Sequence, residues 1–396
     1  MARRTSRATS RPSEFFATYT RDVTAEDLQR LFTHDARDAY RFFSRGIDRQ
    51  ALDKLPWHRR LPAHLRLLFL GFTLKLSPAR RVIYGIALLA AALGLLELFT
   101  GFGWLRLPAG IVVVPVVVPR WEDGTILLLT GFVLMNLLVL LEVADRLSLK
   151  NDLEIAREIQ LAMLPHATYR APGLETHGET KPANTVGGDF YEILPLDDGR
   201  VVVAVGDVAG KGSPAALLMA LLLAMLRTLL DEGLEPPELI DRLNWQIVRH
   251  APRSRFVTLY LAVYTPSTGR LVYVNAGHLP PLVRRAGGSF GTLEGAGPAL
   301  GLSDATRYVA REATLEQGDL LVLYSDGITE AEDPDGRPFD ETGLEQTIES
   351  RRDATAPDLC QAVLAAVAAH VRDKRFADDL TVLALRRLPP IPVTAG

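Results

Sequence analysis

The segment VVVAVGDVAGKGSPAALLMALLLAML, residues 201–226, passes from a β-branched run through a glycine-rich turn into 12 uninterrupted apolar residues. Val201–Val205 reads as a short strand, and Asp207 stands just beyond it between Gly206 and Val208. Ser213 is placed as a helix N-cap, with Pro214 at the first helical position. Ala215–Leu226 is too short to cross a bilayer and Arg227 closes it, so the pattern predicts a buried core helix. The turn is not a phosphate-binding loop: that motif needs four residues between its first Gly and the Gly-Lys pair and a Ser or Thr after the Lys, and here Gly212 follows Lys211.

Downstream, the same texture continues. Thr258–Tyr264, Arg270–Asn275, Leu320–Tyr324 and Thr381–Leu385 read as strands, while Ala215–Leu230, Glu238–His250 and Pro357–Val371 carry helical patterns. Thr265-Pro266-Ser267-Thr268-Gly269 is a hairpin signal joining two of the strands. Strand follows strand without a crossover helix, so the expected class is α+β with antiparallel sheets.

Aspartates recur where these strands end. They are Asp189 in Gly187-Gly188-Asp189-Phe190, Asp207, Asp326 in Tyr324-Ser325-Asp326-Gly327, and the pair Asp378-Asp379 ahead of Leu380-Thr381. Asp197-Asp198-Gly199 and Asp335-Gly336 read instead as ordinary turn residues. Carboxylates gathered in one place repel unless a cation sits among them, and an all-oxygen donor set suits hard ions such as Mg²⁺ or Mn²⁺. A binuclear site accounts for the set economically. Nucleotide motifs do not compete: Gly295-Ala296-Gly297 lacks dinucleotide-binding spacing, and Tyr191 breaks the diguanylate cyclase signature that Gly187-Gly188-Asp189-Phe190 superficially matches.

Upstream of Pro165 the chain changes character. Residues 1–81 hold 17 Lys+Arg against 8 Asp+Glu, a net +9, which leaves −12 of the total −3 for the other 315 residues. Val82–Leu105 carries only Glu97, and Thr125–Leu141 carries no charge over 17 residues; together they read as two membrane helices, with a pair of buried helices in a soluble bundle as the alternative. Lys75, Arg80 and Arg81 crowd the near side of the first segment, while the connecting loop is neutral, which places both chain ends in the cytoplasm. Thr24 and Asp27 resemble a capping box opening a helix to Arg45, and 65–76 suits an interfacial or a core helix. Leu149, Leu153, Ala156, Gln160 and Met163 alternate at spacings of four and three, a pattern suited to a parallel helical dimer or to one helix lying on its own domain; Pro165 ends it.

Composition sets the outer limits. With 396 residues, 48% hydrophobic and 23% charged, the chain can bury a large core, and its net charge of −3 excludes a basic nucleic-acid binder. The single cysteine, Cys360, excludes a disulfide framework or a cysteine-rich zinc site.

The motifs also carry a family likeness. Residues 152–388 resemble the bacterial metal-dependent serine/threonine phosphatases of the PPM type, in the RsbU- and SpoIIE-like branch. The likeness lies in Ala156-Arg157-Glu158-Ile159-Gln160 with Leu164-Pro165, Gly187-Gly188-Asp189-Phe190-Tyr191, Gly206-Asp207-Val208 with Gly210-Lys211-Gly212, Asn275-Ala276-Gly277-His278, Ser325-Asp326-Gly327 with Glu330-Ala331, and Asp378-Asp379-Leu380-Thr381. It implies an α-β-β-α sandwich of two antiparallel sheets holding two Mn²⁺ or Mg²⁺ ions at one edge. By the same resemblance, Asp207 bridges both ions and Val208 offers its backbone carbonyl. Asp189 serves one ion, and Asp326 and Asp378 the other, with Asp379 as the second member of the final pair.

The implied reaction is attack of a metal-bridging hydroxide on phosphoserine or phosphothreonine, with Asp207 and Asp189 as the catalytic pair. Where many animal relatives carry a histidine as candidate general acid, this chain has Ala209, while His278 reads better as a structural residue and Lys211 as either a phosphate attractor or a solvated lysine. The implied substrate is a phosphoserine protein of the anti-anti-sigma type. The different-class alternative is a membrane scaffold that binds a phosphoprotein without hydrolysing it.

The expected organisation is a basic helical region over 1–81, a membrane hairpin over 82–145, a linker helix over 146–165 that pairs two copies, a PPM-type domain over 166–388 and a tail over 389–396.

Overall fold

The computed structural model describes residues 76–389 apart from 101, 110–111, 120, 253–254, 296 and 373–374, and also Phe69 and Thr73. The expected helix at 24–45 lies outside the described residues, as do most of 65–76 and all but Pro389 of the tail. Two compact units divide the chain, Met1–Arg146 and Leu147–Gly396.

In the first unit, helix α1 (Pro78–Thr100) is followed by strands β1 (Phe102–Ala109) and β2 (Val112–Pro119), then by helix α2 (Trp121–Met163), which ends in the second unit. The connection expected as a loop is therefore a β-hairpin, and α1 stops before the expected end at Leu105. The hairpin's register pairs Phe102 with Pro119 and Ala109 with Val112, and its second strand is the run VVVPVVVP, whose β-branched residues favour extended backbone.

Both helices are long and apolar enough to cross a membrane. Their outward faces leave Leu89, Phe99, Phe132 and Leu140 exposed. They meet through small residues: a Cβ on Gly94 would lie 2.8 Å from the Gly124 carbonyl, and one on Gly131 would lie 2.8 Å from the Ala87 carbonyl. Ala87 and Gly94 are seven residues apart, as are Gly124 and Gly131, so each pair falls on one helix face and lets the backbones touch. Beyond that contact Arg80 pairs with Glu142 at 3.2 Å and Asp145 at 2.7 Å.

The second unit contains β3 (Tyr169–Ala171), β4 (Leu174–Lys181), β5 (Phe190–Pro195), β6 (Val201–Val208), α3 (Ser213–Asp231), α4 (Pro236–His250), β7 (Val257–Thr265) and β8 (Arg270–Ala276). It continues with β9 (Leu282–Arg284), β10 (Phe290–Thr292), β11 (Arg311–Thr314), β12 (Leu320–Tyr324), α5 (Asp326–Thr329), α6 (Asp340–Ser350), α7 (Ala356–Val371) and β13 (Leu380–Arg387). One sheet runs β10-β9-β12-β13-β4-β3, the other β11-β8-β7-β6-β5. Neighbouring strands in both are antiparallel.

Helices α3 and α4 lie on the five-stranded sheet and α7 on the six-stranded one, which gives the expected α-β-β-α order. Period-two alternation builds the layers. Leu321, Leu323, Leu383 and Leu385 join the core that includes β5–β8, whereas Leu320, Val322, Leu380 and Val382 pack with Leu359, Val363 and Val367 of α7. Val201–Val205 is wholly buried because helices cover one face of its sheet and the other sheet covers the opposite face, which explains why its sequence does not alternate.

Helix α3 starts one residue earlier than expected, with Gly212 at φ +75° in the cap position and Ser213 inside. It is also long and apolar enough to cross a membrane, yet Leu218, Met219, Leu222, Leu223 and Leu226 are buried in the sandwich core. Leu222→Ala is expected to cost about 2–5 kcal/mol in denaturant unfolding, whereas Leu217→Ala, at a position 72% exposed, should stay within about 0.5 kcal/mol. Equal effects at the two positions would mean that α3 is not the core helix described.

Candidate metal centre

Four chain segments reach the same edge of the sandwich because strands of both sheets end or begin there. Asp207 pairs with Thr258 near the end of β6, and Asp189 immediately precedes Phe190 of β5, which pairs with Gly206. In the other sheet Tyr324 pairs with Val382, so Asp326 just after β12 and Asp378-Asp379 just before β13 arrive at one edge. The sequence-predicted aspartates are thus brought together from all four segments.

Asp189 is 5% exposed, and its Oδ2 is buried without a hydrogen-bond partner. A Cβ on the neighbouring Gly188 would lie 2.9 Å from the Val208 carbonyl oxygen and 3.1 Å from Asp207 Oδ1, so the absence of a side chain there lets these two oxygens approach the Gly188 backbone. Burial raises the Asp189 pKa well above the usual carboxylate range, the charge on Asp207 adds to it, and the hydroxyls of Ser325 and Thr381 pull it back. Asp207 is pushed up to about 6 by burial and then by Asp326 and Asp378. Asp326 is raised by burial and by Asp378.

Among the described residues no three His, Cys, Asp or Glu side chains already stand close enough together to hold a metal ion. The donor chemistry nevertheless fits a hard divalent cation: an orphaned, desolvated carboxylate oxygen lies among further carboxylates and a backbone carbonyl, with no sulfur or imidazole in the set.

The final pair of aspartates divides. Asp378 is half-exposed, and its Oδ2 accepts from Lys211 Nζ at 2.8 Å. Asp379 is buried, and its Oδ1 accepts from the Ala183 amide at 2.8 Å and its Oδ2 from the Gly188 amide at 2.7 Å. A Cβ on Gly187 would come within 2.4 Å of Asp379 Oδ2. Asp379 therefore fastens the loop that presents Asp189.

Gln160, at the end of α2, fastens the same loop from the other side. Its Nε2 donates to the Gly187 carbonyl at 2.7 Å, and the Gly187 amide donates back to its Oε1 at 3.2 Å. Of the stripe expected to pair two copies, Leu153 and Ala156 are half-buried and Gln160 is buried, while Ile155 and Ile159 on another face are exposed.

His278 lies outside this chemistry. Its Nε2 donates to the Tyr324 carbonyl at 3.2 Å, which leaves Nδ1 to accept from the Thr258 hydroxyl at 2.9 Å, and burial lowers its pKa to about 4. It is a neutral bridge between the two sheets, as the structural reading of its turn expects.

Comparisons with known proteins bear on the domain that carries this site. Residues 197–388 match the family described as Stage II sporulation protein E (SpoIIE). Residues 197–388 are of the SpoIIE-type PPM phosphatase domain. Phosphoserine phosphatase RsbU of Bacillus subtilis (strain 168) is 29% identical over 240 residues, 60% of this chain and 71% of RsbU. Phosphoserine phosphatase RsbP of the same organism is 25% identical over 188 residues, 46% of this chain and 46% of RsbP. The SiaA-PP2C domain of Pseudomonas aeruginosa superposes with a TM-score of 0.53 at 23% identity, covering 61% of this chain and 98% of that domain, a likeness of fold.

In this phosphatase domain the carboxylate repulsion has a measurable sign. In chelator at neutral pH, Asp207→Asn should raise the thermal midpoint by about 2–6 °C. The folded Asp207 pKa of about 6 lies above its ordinary 3.8, so above pH 6 only the folded parent bears the repulsion. As pH falls toward 3.8 the folded carboxyl protonates first and the variant's advantage should vanish, which melting curves across that range check.

Proposed function

We propose that this chain is a membrane-tethered, metal-dependent protein serine phosphatase acting on phosphoserine in a signalling regulator of the anti-anti-sigma type. The observation that carries the reading is the buried, unpartnered Oδ2 of Asp189 among Asp207, Asp326 and Asp378 at one edge of the sandwich. The family of the domain and the names of its relatives RsbU and RsbP support the reaction.

Asp189, Asp207 and the Val208 carbonyl would hold one cation, and Asp207, Asp326 and Asp378 a second, with Asp379 holding the loop in place. Mn²⁺ or Mg²⁺ bound there would activate water and offset phosphoryl charge. The chain itself supplies alignment: Gln160 and Asp379 fix the Gly187–Asp189 loop from two sides. Ala209 can donate no proton, and His278 is committed to Thr258 and Tyr324.

Helices α1 and α2 would form the membrane hairpin with both chain ends in the cytoplasm, and exposed Ile155 and Ile159 would pair with a second copy. Arrival of α2 at Gly187 supports a regulatory role for the linker, because Gln160 in the last turn of that helix is hydrogen-bonded two positions from Asp189.

Hydrolysis of a phosphoserine peptide by the full chain should require Mn²⁺ or Mg²⁺, stop in chelator and fall at least about 100-fold in Asp207→Asn. Near-normal turnover by that variant would reject the assignment. Gln160→Leu removes both hydrogen bonds to Gly187 and touches no proposed ligand, so turnover and Mn²⁺ affinity should both fall by about tenfold. Equal turnover and equal affinity would reduce α2 to a passive tether.

A further inference from the structure

We propose that the Lys211 ammonium is an internal counter-ion for Asp378 that a divalent cation must displace, so that Lys211 sets the metal affinity of the outer position and couples its filling to release of the turn ahead of α3. The inference rests on the reading of Asp378 as a metal ligand. Lys211 Nζ donates to Asp378 Oδ2 at 2.8 Å and to the Ala377 carbonyl at 2.5 Å. Its side chain thus ties the turn that follows β6 in one sheet to the segment that precedes β13 in the other. An ammonium and a divalent cation compete for the same carboxylate oxygen, and lysine, a compact point charge with rotatable donors, occupies that oxygen as an ion would.

The surroundings make this contact exchangeable. The Lys211 and Asp378 side chains are 53% and 46% exposed, so water can resolvate both when they part, and a pair in such a setting is weak. Asp379 offers the contrast: it is 7% exposed, with both oxygens on backbone amides of the 183–189 loop, and could leave only by undoing that loop. The inner position has an unpartnered Asp189 oxygen, whereas the outer one is covered by a lysine.

The backbone of the turn takes conformations that favour glycine. Lys211 is flanked by Gly210 at φ +105° and Gly212 at φ +75°, left-handed conformations that glycine enters and leaves without a Cβ penalty. Helix α3 begins directly after it with no side-chain cap, so the lysine contact is what ties the helix start to the 377–378 segment.

Calorimetric titration of the full chain with Mn²⁺, together with mass-spectrometric labelling of Lys211 by a small amine-reactive reagent, tests the inference. Lys211→Met should tighten the weaker Mn²⁺ site about fivefold and Lys211→Arg should leave it within about twofold. Labelling of Lys211 in the parent should speed up severalfold when Mn²⁺ is added, a response that mere long-range repulsion between lysine and metal does not produce. Unchanged or weaker affinity in Lys211→Met, or labelling indifferent to Mn²⁺, overturns the proposal. Asp378→Asn separates the causes: weakened binding there beside an unaltered Lys211→Met rejects the lysine latch alone, and unaltered binding in Asp378→Asn rejects the ligand assignment along with it.

Discussion

Keeping carboxylates close together and out of water is the constraint on which the second unit depends. A desolvated carboxylate beside others of its kind protonates or moves away unless its surroundings hold it. Here the holding is done by backbone and hydroxyl donors. Gly187 and Gly188 carry no Cβ, so Asp379, Asp207 and the Val208 carbonyl can approach the loop, while Ser325 and Thr381 favour the ionised form of Asp189. The antiparallel order of both sheets follows the same logic, since β5 and β13 must begin where β6 and β12 end for all the acids to share one edge.

Much of this was legible in the sequence because the signals are local. The run at 201–226 announces strand, turn and core helix within one window, and each aspartate abuts a hydrophobic strand, so the fold class and the site's acidic members follow from neighbouring residues. What the sequence hides is contact over distance. Gln160 reaches Gly187 across 27 positions and Lys211 reaches Asp378 across 167, and no periodicity records either. Asp379 looks like a second ligand because it follows Asp378, yet successive residues entering a strand point to opposite sides, and this one turns to the loop amides. The hairpin at 102–119 was hidden for another reason: Phe102–Leu105 continue the apolar run of the first helix, and the neutral connection after them reads as a loop.

His278 shows how the same edge is kept rigid without adding charge. A protonated imidazole would add a cation beside the carboxylates, but burial holds this ring neutral, with one nitrogen donating to β12 and the other accepting from β7. The two sheets are thereby pinned to each other close to where they present Asp207 and Asp326. That pin holds the strand ends that present Asp207 and Asp326, while Gln160 and Asp379 hold the Gly187–Asp189 loop beside them.

The glycine contacts between α1 and α2 restrict how that helix pair can move. Backbones that touch at Gly94 and Gly124, and again at Ala87 and Gly131, interlock like the teeth of two racks. An axial slide would drive the leucines that already lie over these glycines, Leu128 over Gly94 and Leu98 beside Gly124, into backbone that leaves no room for them. The next comparable engagement lies a heptad away, roughly 10 Å along the axis at the usual rise per residue. Small axial displacements of the pair are therefore resisted more than a tilt or a bend about this contact.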